Sequence, residues 1–427
     1  MKKEVLLTIY DMEIGGVERS LINMLDSFDY DKFNVDLLIC NHTGDFLSLL
    51  PKKVNILPQI PAYTVFRKPL IQSFKEGHIL TSIIRVLCKV AAGFKAKHRK
   101  LKEGSGYIQM QLVAKYVSSV LPGPKKKYDL AISYAWPHDI VANNIVAAKK
   151  IAWIHTDYSE LEIDNKLDLA VWNKFDHIAS ISDACSNAFL SKYPSLEVKI
   201  ILIENITSPL FIAKMAENPC SLNERRRKEV EVEVEEEEEE EESSFTIVSV
   251  GRLSYAKGFD LAVQALRSLH DKGFRNINWY IVGYGGFESE LNVLIAANNL
   301  QDSFVLLGKQ TNPYPFIKAC DIYVQPSRYE GKAVTVTEAK ILSKPILITN
   351  YPTAFSQIED EFDGIICELS VEGIANGIER LYKDTELREK LARNCECTNY
   401  SNGYELNKLY RLLGEDEQNF ISREVAV

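Results

Sequence analysis

Two short segments with cations and glycines indicate a site for a diphosphate. A predicted strand, 246–250, ends at Gly251 and Arg252, and Lys257 and Gly258 precede the next predicted helix. Glycines let the backbone approach an anion, the cations neutralise its charge, and the helix N-terminus adds its dipole. The same spacing also fits two solvated cations in an ordinary loop, so it suggests a phosphate site without establishing one.

The strongest chemical pattern lies between Tyr323 and Ala339. A buried strand ends before Glu330, and a helix that includes Glu338 starts near Ala333. Glu330 therefore follows the C-terminal end of a strand, where ligands of parallel α/β sheets bind. Carboxylates accept hydrogen bonds from sugar hydroxyls, so the two glutamates suit a sugar ligand. The competing interpretation is that both are ordinary surface glutamates.

Other candidate residues lie at neighbouring strand ends. Backbone N–H groups at Gly331 and Ala333 are accessible to phosphate oxygens, and Gly16 follows the first strand. His155 ends another strand and is a candidate for a polar site, although a lone histidine is more often structural. The turn Gly283-Tyr284-Gly285-Gly286 does not match G-x-G-x-x-G, which disfavours a dinucleotide-binding site.

The sequence contains no convincing metal or nucleophile motif. Asp29-Tyr30-Asp31 follows a helix and lacks further ligands, so we interpret it as a solvated turn. The 8 cysteines are scattered, and only Cys395 and Cys397 are close, which predicts reduced thiols. A G-x-S-x-G nucleophile elbow is absent.

Length and composition indicate a soluble protein of two domains. The chain has 427 residues, of which 46% are hydrophobic and 26% charged, which excludes wholly disordered, collagen-like and small disulfide-stapled proteins. Apolar runs are too short to span a bilayer, and the N-terminus does not resemble a secretory signal, so we expect a cytoplasmic protein. Of the net charge of −9, −8 arises from residues 224–242, so the charge says little about ligands, and we expect no nucleic-acid partner.

Strands alternate with helices in both halves of the chain, which predicts two doubly wound parallel sheets facing a central cleft. We expect strands at 4–10, 34–40, 54–57, 130–133, 151–155, 178–182 and 199–203, and at 246–250, 278–282, 304–307, 322–325 and 346–349. The predicted domains are 1–208 and 245–395, joined by a linker at 209–244 that carries the acidic low-complexity insertion. A C-terminal helix at 396–413, with a return to the first domain as one option, precedes a flexible tail at 414–427.

One basic segment stands out. From Ile79 to Lys102 there are seven lysines and arginines and no acidic residue, and apolar residues recur at helical spacing. A basic amphipathic helix can lie on an anionic membrane surface. The alternative is a surface helix packed on its own domain, and the sequence favours neither.

Together these motifs resemble the retaining glycosyltransferases of the GT-B fold, specifically family four (group 1). The resemblance covers about 1–413 apart from the acidic insertion. The matching features, in their order and spacing, are Gly15-Gly16-Val17-Glu18, Trp153-Ile154-His155, Ser180-Ile181-Ser182, Gly251-Arg252-Leu253 with Lys257-Gly258, Ile281-Val282-Gly283-Tyr284-Gly285, and Ser327-Arg328-Tyr329-Glu330-Gly331 through Glu338-Ala339.

The resemblance implies that the second domain binds a nucleotide diphosphate sugar and the first receives the acceptor. Arg252 and Lys257 would hold the diphosphate without a metal ion or other cofactor. Glu330 would contact the donor sugar near the reacting carbon, His155 would also contact that sugar, and Glu338 would take the ribose hydroxyls. Further donor-binding positions implied in the same way are Gly16, Gly283, Gly331, Lys332, Ala333 and Val334.

The implied function is retaining hexosyl transfer to a glycan or lipid-linked glycan in capsule or lipopolysaccharide synthesis. Such enzymes commonly work at the inner membrane face, which the Ile79–Lys102 segment would suit. The turn at Gly283 lacks the acid and proline frequent in the family, and Lys332, Thr335 and Thr337 replace commoner apolar residues, so the donor is open. The alternatives are a sugar-nucleotide epimerase of GT-B type and a non-catalytic binding protein with this fold.

Overall fold

The computed structural model describes residues 2–100, 104–156, 158, 161–222, 244–330 and 333–414. These residues fall into two compact units. The first contains the described residues up to Thr207 and those from Asn402 onward, and the second those from Ser208 to Ser401, beyond the predicted domain end at 395. The acidic insertion at 224–242 and the tail after 414 lie outside the described residues.

The first unit is built on a parallel sheet. Its strands are β1 (Lys3–Ile9), β2 (Phe33–Ile39), β3 (Asn55–Ile56), β4 (Lys127–Ser133), β5 (Val146–Ile154), β6 (His177–Ser180) and β7 (Ile200–Leu202). The order across the sheet is β3-β2-β1-β4-β5-β6-β7. Its helices are α1 (Gly16–Asp26), α2 (Leu70–Lys75), α3 (Ile79–Arg99), α4 (Gly106–Ser118), α5 (Asp139–Asn144), α6 (Asn165–Trp172) and α7 (Asp183–Lys192).

The second unit repeats this architecture. Its strands are β8 (Phe245–Val250), β9 (Ile277–Val282), β10 (Phe304–Gly308), β11 (Ile322–Gln325), β12 (Ile346–Thr349) and β13 (Ile365–Cys367), in the order β10-β9-β8-β11-β12-β13. Its helices are α8 (Pro209–Ala216), α9 (Phe259–Asp271), α10 (Glu288–Ala297), α11 (Tyr314–Ala319), α12 (Val334–Ile341), α13 (Val371–Lys383) and α14 (Thr385–Cys397).

Mainly apolar runs account for the central strands of the second sheet. All six residues of β8 are buried, and so are the four residues of β11 beside it. Helices cover both faces of such a sheet, so its strands lack the alternation of half-exposed strands. The strand order reverses between β8 and β11, so a crevice opens beyond their C-terminal ends.

The last described helix, α15 (Leu406–Leu412), belongs to the first unit. The ring of Tyr410 stacks on Phe33, with centroids 4.6 Å apart, and its hydroxyl accepts a hydrogen bond from the Asp29 backbone N–H at 3.0 Å. Glu405 accepts a hydrogen bond from the Glu204 backbone N–H at 2.9 Å. These contacts join the end of the described chain to the first sheet.

None of the helices in the described ranges is both long enough and apolar enough to cross a membrane. All eight cysteines lie within those ranges, and none forms a disulfide.

Candidate active site

The loops that follow β8 and β11 meet beyond the point where the strand order reverses. β8 and β11 are paired neighbours, and the first loop carries Lys257 and the second Glu330. Gly258 has a φ of +67°, and a Cβ atom there would lie 1.9 Å from the carbonyl oxygen of Pro326. Glycine is therefore required for the two loops to approach this closely.

Lys257 and Glu330 form an ion pair, with Nζ and Oε1 2.5 Å apart. The two side chains are 19% and 11% exposed, so water screens the pair only partly. The same carboxylate oxygen accepts hydrogen bonds from Ser327 Oγ at 2.6 Å and from Gln325 Nε2 at 3.1 Å. Three donors thus hold the Glu330 carboxylate in one orientation at the C-terminal end of β11.

A buried network supports this pair. The Gln325 side-chain oxygen accepts from the Tyr323 hydroxyl at 2.7 Å and from Thr335 Oγ1 at 3.3 Å. Burial raises the pKa of Tyr323, and the negative charges of Glu338 and Glu330 raise it further. The charges of both predicted carboxylates therefore favour the protonated form of the Tyr323 hydroxyl. Gln325 was not identified from the sequence, because a single amide side chain has no spacing pattern that marks it.

Glu338 lies in α12 and is fully buried. Its Oε1 accepts a hydrogen bond from the hydroxyl of Tyr314, the first residue of α11, at 3.0 Å. The prediction placed Glu338 against ribose hydroxyls. Because the side chain has no solvent-exposed surface, a ribose could reach it only after neighbouring side chains move.

The predicted diphosphate residues share one edge of the second sheet. The methylene carbons of Lys257 lie over Gly251, and a Cβ at Gly283 would lie 1.8 Å from the Gly251 carbonyl oxygen. These close approaches bring the ends of β8 and β9 together beside the Lys257–Glu330 pair. Arg252 follows directly, and its side chain is exposed at this edge.

The predicted phosphate-binding amides are only partly described. Gly331 and Lys332 lie outside the described residues. The Ala333 N–H donates to Oε1 of Gln357 at 2.8 Å, so this amide is already engaged. Val334 is the first residue of α12. Gln357 had no motif of its own and was missed in the sequence.

His155 and Gly16 lie in the first unit. The His155 ring follows β5 and lies 4.7 Å from the Tyr134 ring, centroid to centroid. Burial lowers the pKa of His155 to about 4, although a hydrogen bond with the Tyr134 backbone acts in the opposite direction. The imidazole is therefore neutral near pH 7. Gly16 begins α1, and a Cβ there would meet no described atom within 4 Å.

A pocket of about 270 Å³ lies beside His155 within the first unit. Aromatic rings dominate its lining, together with the Asp168 carboxylate; the rings include Tyr107, Trp136, Trp153 and Tyr158. Asp168 accepts hydrogen bonds from Trp172 Nε1 at 2.9 Å and Tyr193 Oη at 2.8 Å. The sequence analysis did not identify this pocket, because its walls come from segments far apart in the chain.

Asp29-Tyr30-Asp31 forms a turn. Across the part of the chain that the structure describes, no group of three or more histidines, cysteines, aspartates or glutamates is arranged to hold a metal ion.

Residues 231–396 match the family model described as glycosyl transferases group 1. This segment contains Lys257, Glu330 and Glu338.

Curated relatives match over part of their length. The alpha-D-kanosaminyltransferase of Streptomyces kanamyceticus is 29% identical over 177 residues, which are 39% of this chain and 46% of the relative. A Campylobacter jejuni enzyme, N-acetylgalactosamine-N,N'-diacetylbacillosaminyl-diphospho-undecaprenol 4-alpha-N-acetylgalactosaminyltransferase, is 29% identical over 146 residues, 34% of this chain and 39% of the relative. The chain therefore spans less than half of the length of these relatives.

Solved structures show the fold of nearly the whole chain. Anabaena Alr3699/HepE, solved in complex with UDP and glucose, aligns with a TM-score of 0.63 at 15% identity, covering 96% of this chain and 99% of that one. The two parallel-sheet units are those of the GT-B fold, which confirms the predicted fold class.

Proposed function

We propose that the protein is a retaining glycosyltransferase. It moves a hexosyl unit from a nucleotide diphosphate sugar to a glycan or lipid-linked glycan in cell-surface polysaccharide synthesis. The observation that carries this proposal is the Lys257–Glu330 pair, 2.5 Å between Nζ and Oε1, where the strand order of the second sheet reverses. This position lies inside the segment that matches the family model of glycosyl transferases group 1.

Lys257 and Arg252 stabilise the leaving group. When the bond between the anomeric carbon and the diphosphate breaks, negative charge grows on the phosphate oxygen. Cations held beside that oxygen stabilise the developing charge, because they are positioned before the reaction starts. The proposal therefore requires no metal ion, and chelation with EDTA is expected to leave the rate unchanged.

Glu330 acts on the sugar. Its fixed carboxylate stabilises positive charge that develops at the anomeric carbon. The acceptor hydroxyl forms its new bond on the face that the diphosphate leaves, and the departing phosphate oxygen takes the acceptor's proton. The anomeric configuration is therefore retained, and the products are the glycosylated acceptor and a nucleoside diphosphate.

The first unit receives the acceptor. The aromatic pocket beside His155 has rings that can pack against the apolar faces of a sugar. The name of the Campylobacter jejuni relative includes a diphospho-undecaprenol carrier, and the HepE complex contains UDP and glucose. These names support a lipid-linked acceptor and a UDP-sugar as the first donor to test. If the acceptor is lipid-linked, the enzyme must act at a membrane surface, for which the inner face is our proposal.

The test begins with a thermal-shift screen of nucleotide sugars, because a ligand that binds only the folded state raises the melting temperature. The selected donor is then combined with polyprenyl-diphosphate-linked sugars, and products are identified by mass spectrometry and by the anomeric coupling constant. Glu330→Ala is expected to lower turnover at least a hundredfold with an unchanged circular dichroism spectrum. Glu290→Ala, which removes an exposed glutamate of α10, is the matched control.

The outcomes separate the candidate functions. Glycosylated acceptor with retained configuration supports the proposal. An altered sugar and free nucleotide without acceptor would identify an epimerase instead. A thermal shift with neither product, across the acceptor panel, would identify a binding protein. Full activity of Glu330→Ala would contradict the role of that carboxylate.

A further inference from the structure

Helix α3 packs on its own unit through small and polar side chains. Five of the residues that it buries recur every three or four positions, and Ser82 is buried beside the first of them: Thr81, Arg85, Cys88, Ala92 and Ala96. Arg85 Nη1 donates a hydrogen bond to Ser73 Oγ at 3.1 Å, which connects α3 to α2. An arginine thus occupies the side of the helix where an apolar residue is the usual choice.

The large apolar side chains of α3 face outward instead. Leu80, Leu87 and Phe94 are 60%, 64% and 74% exposed. They continue a stripe that also includes Ile79, Ile83, Val86 and Val90, all exposed, and α2 adds Ile71 and Phe74 beside it. A contiguous apolar face of this kind marks an interaction surface in a soluble protein.

An apolar groove of about 450 Å³ runs between α2 and α3. Most of its lining is aliphatic or aromatic: Leu70, Ile71, Phe74, Ile83, Val86 and Leu87. A hydrocarbon chain suits such a lining, because the hydrocarbon has no polar atoms that would lose hydrogen bonds to water.

The surface around the groove is positively charged, which favours an anionic ligand. Lys75, Lys89, Lys97 and Lys100 are exposed, and Glu76, which pairs with Lys68 at 2.5 Å, is the one acidic residue in 67–100. A second copy of the chain on this face would bring cations against cations. An anionic lipid surface complements them and also accepts the apolar stripe.

We propose that the α2–α3 face inserts into an anionic membrane and that one lipid hydrocarbon chain enters the apolar groove. This membrane contact rests on the proposed function only for its biological purpose, because an enzyme with a lipid-linked acceptor must work at a membrane. Lipid binding is measured without a donor or acceptor, so either proposal can fail alone. Of the two interpretations of the 79–102 segment, α3 combines both: it packs on its unit with one face and leaves the apolar face for lipid.

The first test is flotation of the full-length protein with vesicles of phosphatidylcholine alone or with 30% phosphatidylglycerol, at low and high salt. We expect binding that needs phosphatidylglycerol and persists in part at high salt. Ile83→Ser with Leu87→Ser should lower the vesicle partition coefficient at least about tenfold, because two apolar side chains no longer leave water. Lys89→Glu with Lys97→Glu should lower it by about fivefold or more per residue. Val293→Ser, at an exposed apolar residue of the second unit, is the control and should bind like wild type.

The second test locates the groove relative to the acyl chains. Phe74→Trp places a fluorophore at the groove wall, and vesicles with bromine on the acyl chains quench an indole only when it reaches chain depth. We expect quenching that disappears when Ile83→Ser and Leu87→Ser are added, and none for Phe355→Trp, a control at an exposed position in the second unit.

Three results would overturn the inference. Absence of flotation on any vesicle would remove the membrane contact. Binding that high salt abolishes, without quenching of the Phe74→Trp variant, would show a purely ionic contact without chain insertion. A dimer in sedimentation velocity that Ile83→Ser and Leu87→Ser dissociate would assign the face to a second copy.

Discussion

Glu330 is expected to restrain Lys257 in the ligand-free protein, so replacing it should uncouple donor binding from turnover. Lys257 Nζ lies 2.5 Å from Glu330 Oε1. If Lys257 binds the donor diphosphate, it must leave this carboxylate first. Glu330→Gln removes the competing charge and keeps the size of the side chain, and the amide oxygen can still accept from Ser327.

The structure sets the size of the effect. A hydrogen bond to a charged group contributes about 1.5–3 kcal/mol. With side chains 19% and 11% exposed, the pair is partly screened by water, so we take the lower end, about 1.5 kcal/mol. An energy of about 1.4 kcal/mol corresponds to a tenfold change in affinity. Glu330→Gln should therefore bind the nucleoside diphosphate about tenfold more tightly while turnover falls at least a hundredfold.

Isothermal titration calorimetry with the nucleoside diphosphate selected in the thermal-shift screen measures this affinity, and product formation measures turnover. Lys257→Met is the paired variant and should bind the same ligand more weakly than wild type. Weaker binding by Glu330→Gln would show instead that Glu330 supports diphosphate binding rather than competing for Lys257.

Three further predictions concern stability and the second carboxylate. Gly258→Ala should lower the free energy of unfolding by about 2 kcal/mol or more in urea denaturation, because an alanine at φ +67° is strained and its Cβ meets a carbonyl oxygen. The control is Gly286→Ala, where a Cβ meets nothing within 4 Å, and it should change the free energy of unfolding by much less. Tyr314→Phe should lower the free energy of unfolding by about 1–3 kcal/mol and raise the KM for the donor, because buried Glu338 loses a hydrogen-bond donor. An unchanged free energy of unfolding would show that other groups satisfy Glu338. Burial lowers the pKa of His155 from 6.5 to about 4. Below about pH 6.5 the imidazole of the unfolded chain is protonated while that of the folded chain is still neutral, so the free energy of unfolding decreases as pH falls from about 6.5 towards 4. His155→Asn should reduce that slope by up to about 1.4 kcal/mol per pH unit, and identical slopes would contradict it.

The alternation of strands and helices could be predicted because the central strands are short and mainly apolar runs between helical patterns. β11 and β12 have the predicted bounds, and β8 begins one residue before its predicted start. β13 was not predicted, because its apolar run is limited to Ile365–Cys367 and is shorter than every run that was interpreted as a strand.

The packing of α3 could not be predicted in the same way. Its apolar spacing indicated an amphipathic helix, and an apolar face normally turns inward. The structure turns the opposite face inward, because Thr81, Cys88 and Ala92 are small enough to lie against the unit and Arg85 finds Ser73. These partners come from other segments and have no signature in the helix itself.

The sequence identified several residues of the site but not the contacts between their side chains. The motifs pointed to Lys257 and Glu330, which are 73 positions apart, yet no spacing rule says that their side chains pair in the absence of ligand. The engagement of the Ala333 amide by Gln357 and of Glu338 by Tyr314 is likewise a tertiary effect. Such contacts become visible only when the loops after neighbouring strands are brought together.

A crystal structure of the full chain with the nucleotide sugar selected in the thermal-shift screen would show which side chains contact the diphosphate. We expect Lys257 Nζ to move from Glu330 to a phosphate oxygen and the Glu330 carboxylate to lie beside the donor sugar, at the loops after β8 and β11. A diphosphate bound away from these loops, with the Lys257–Glu330 ion pair intact, would contradict this expectation.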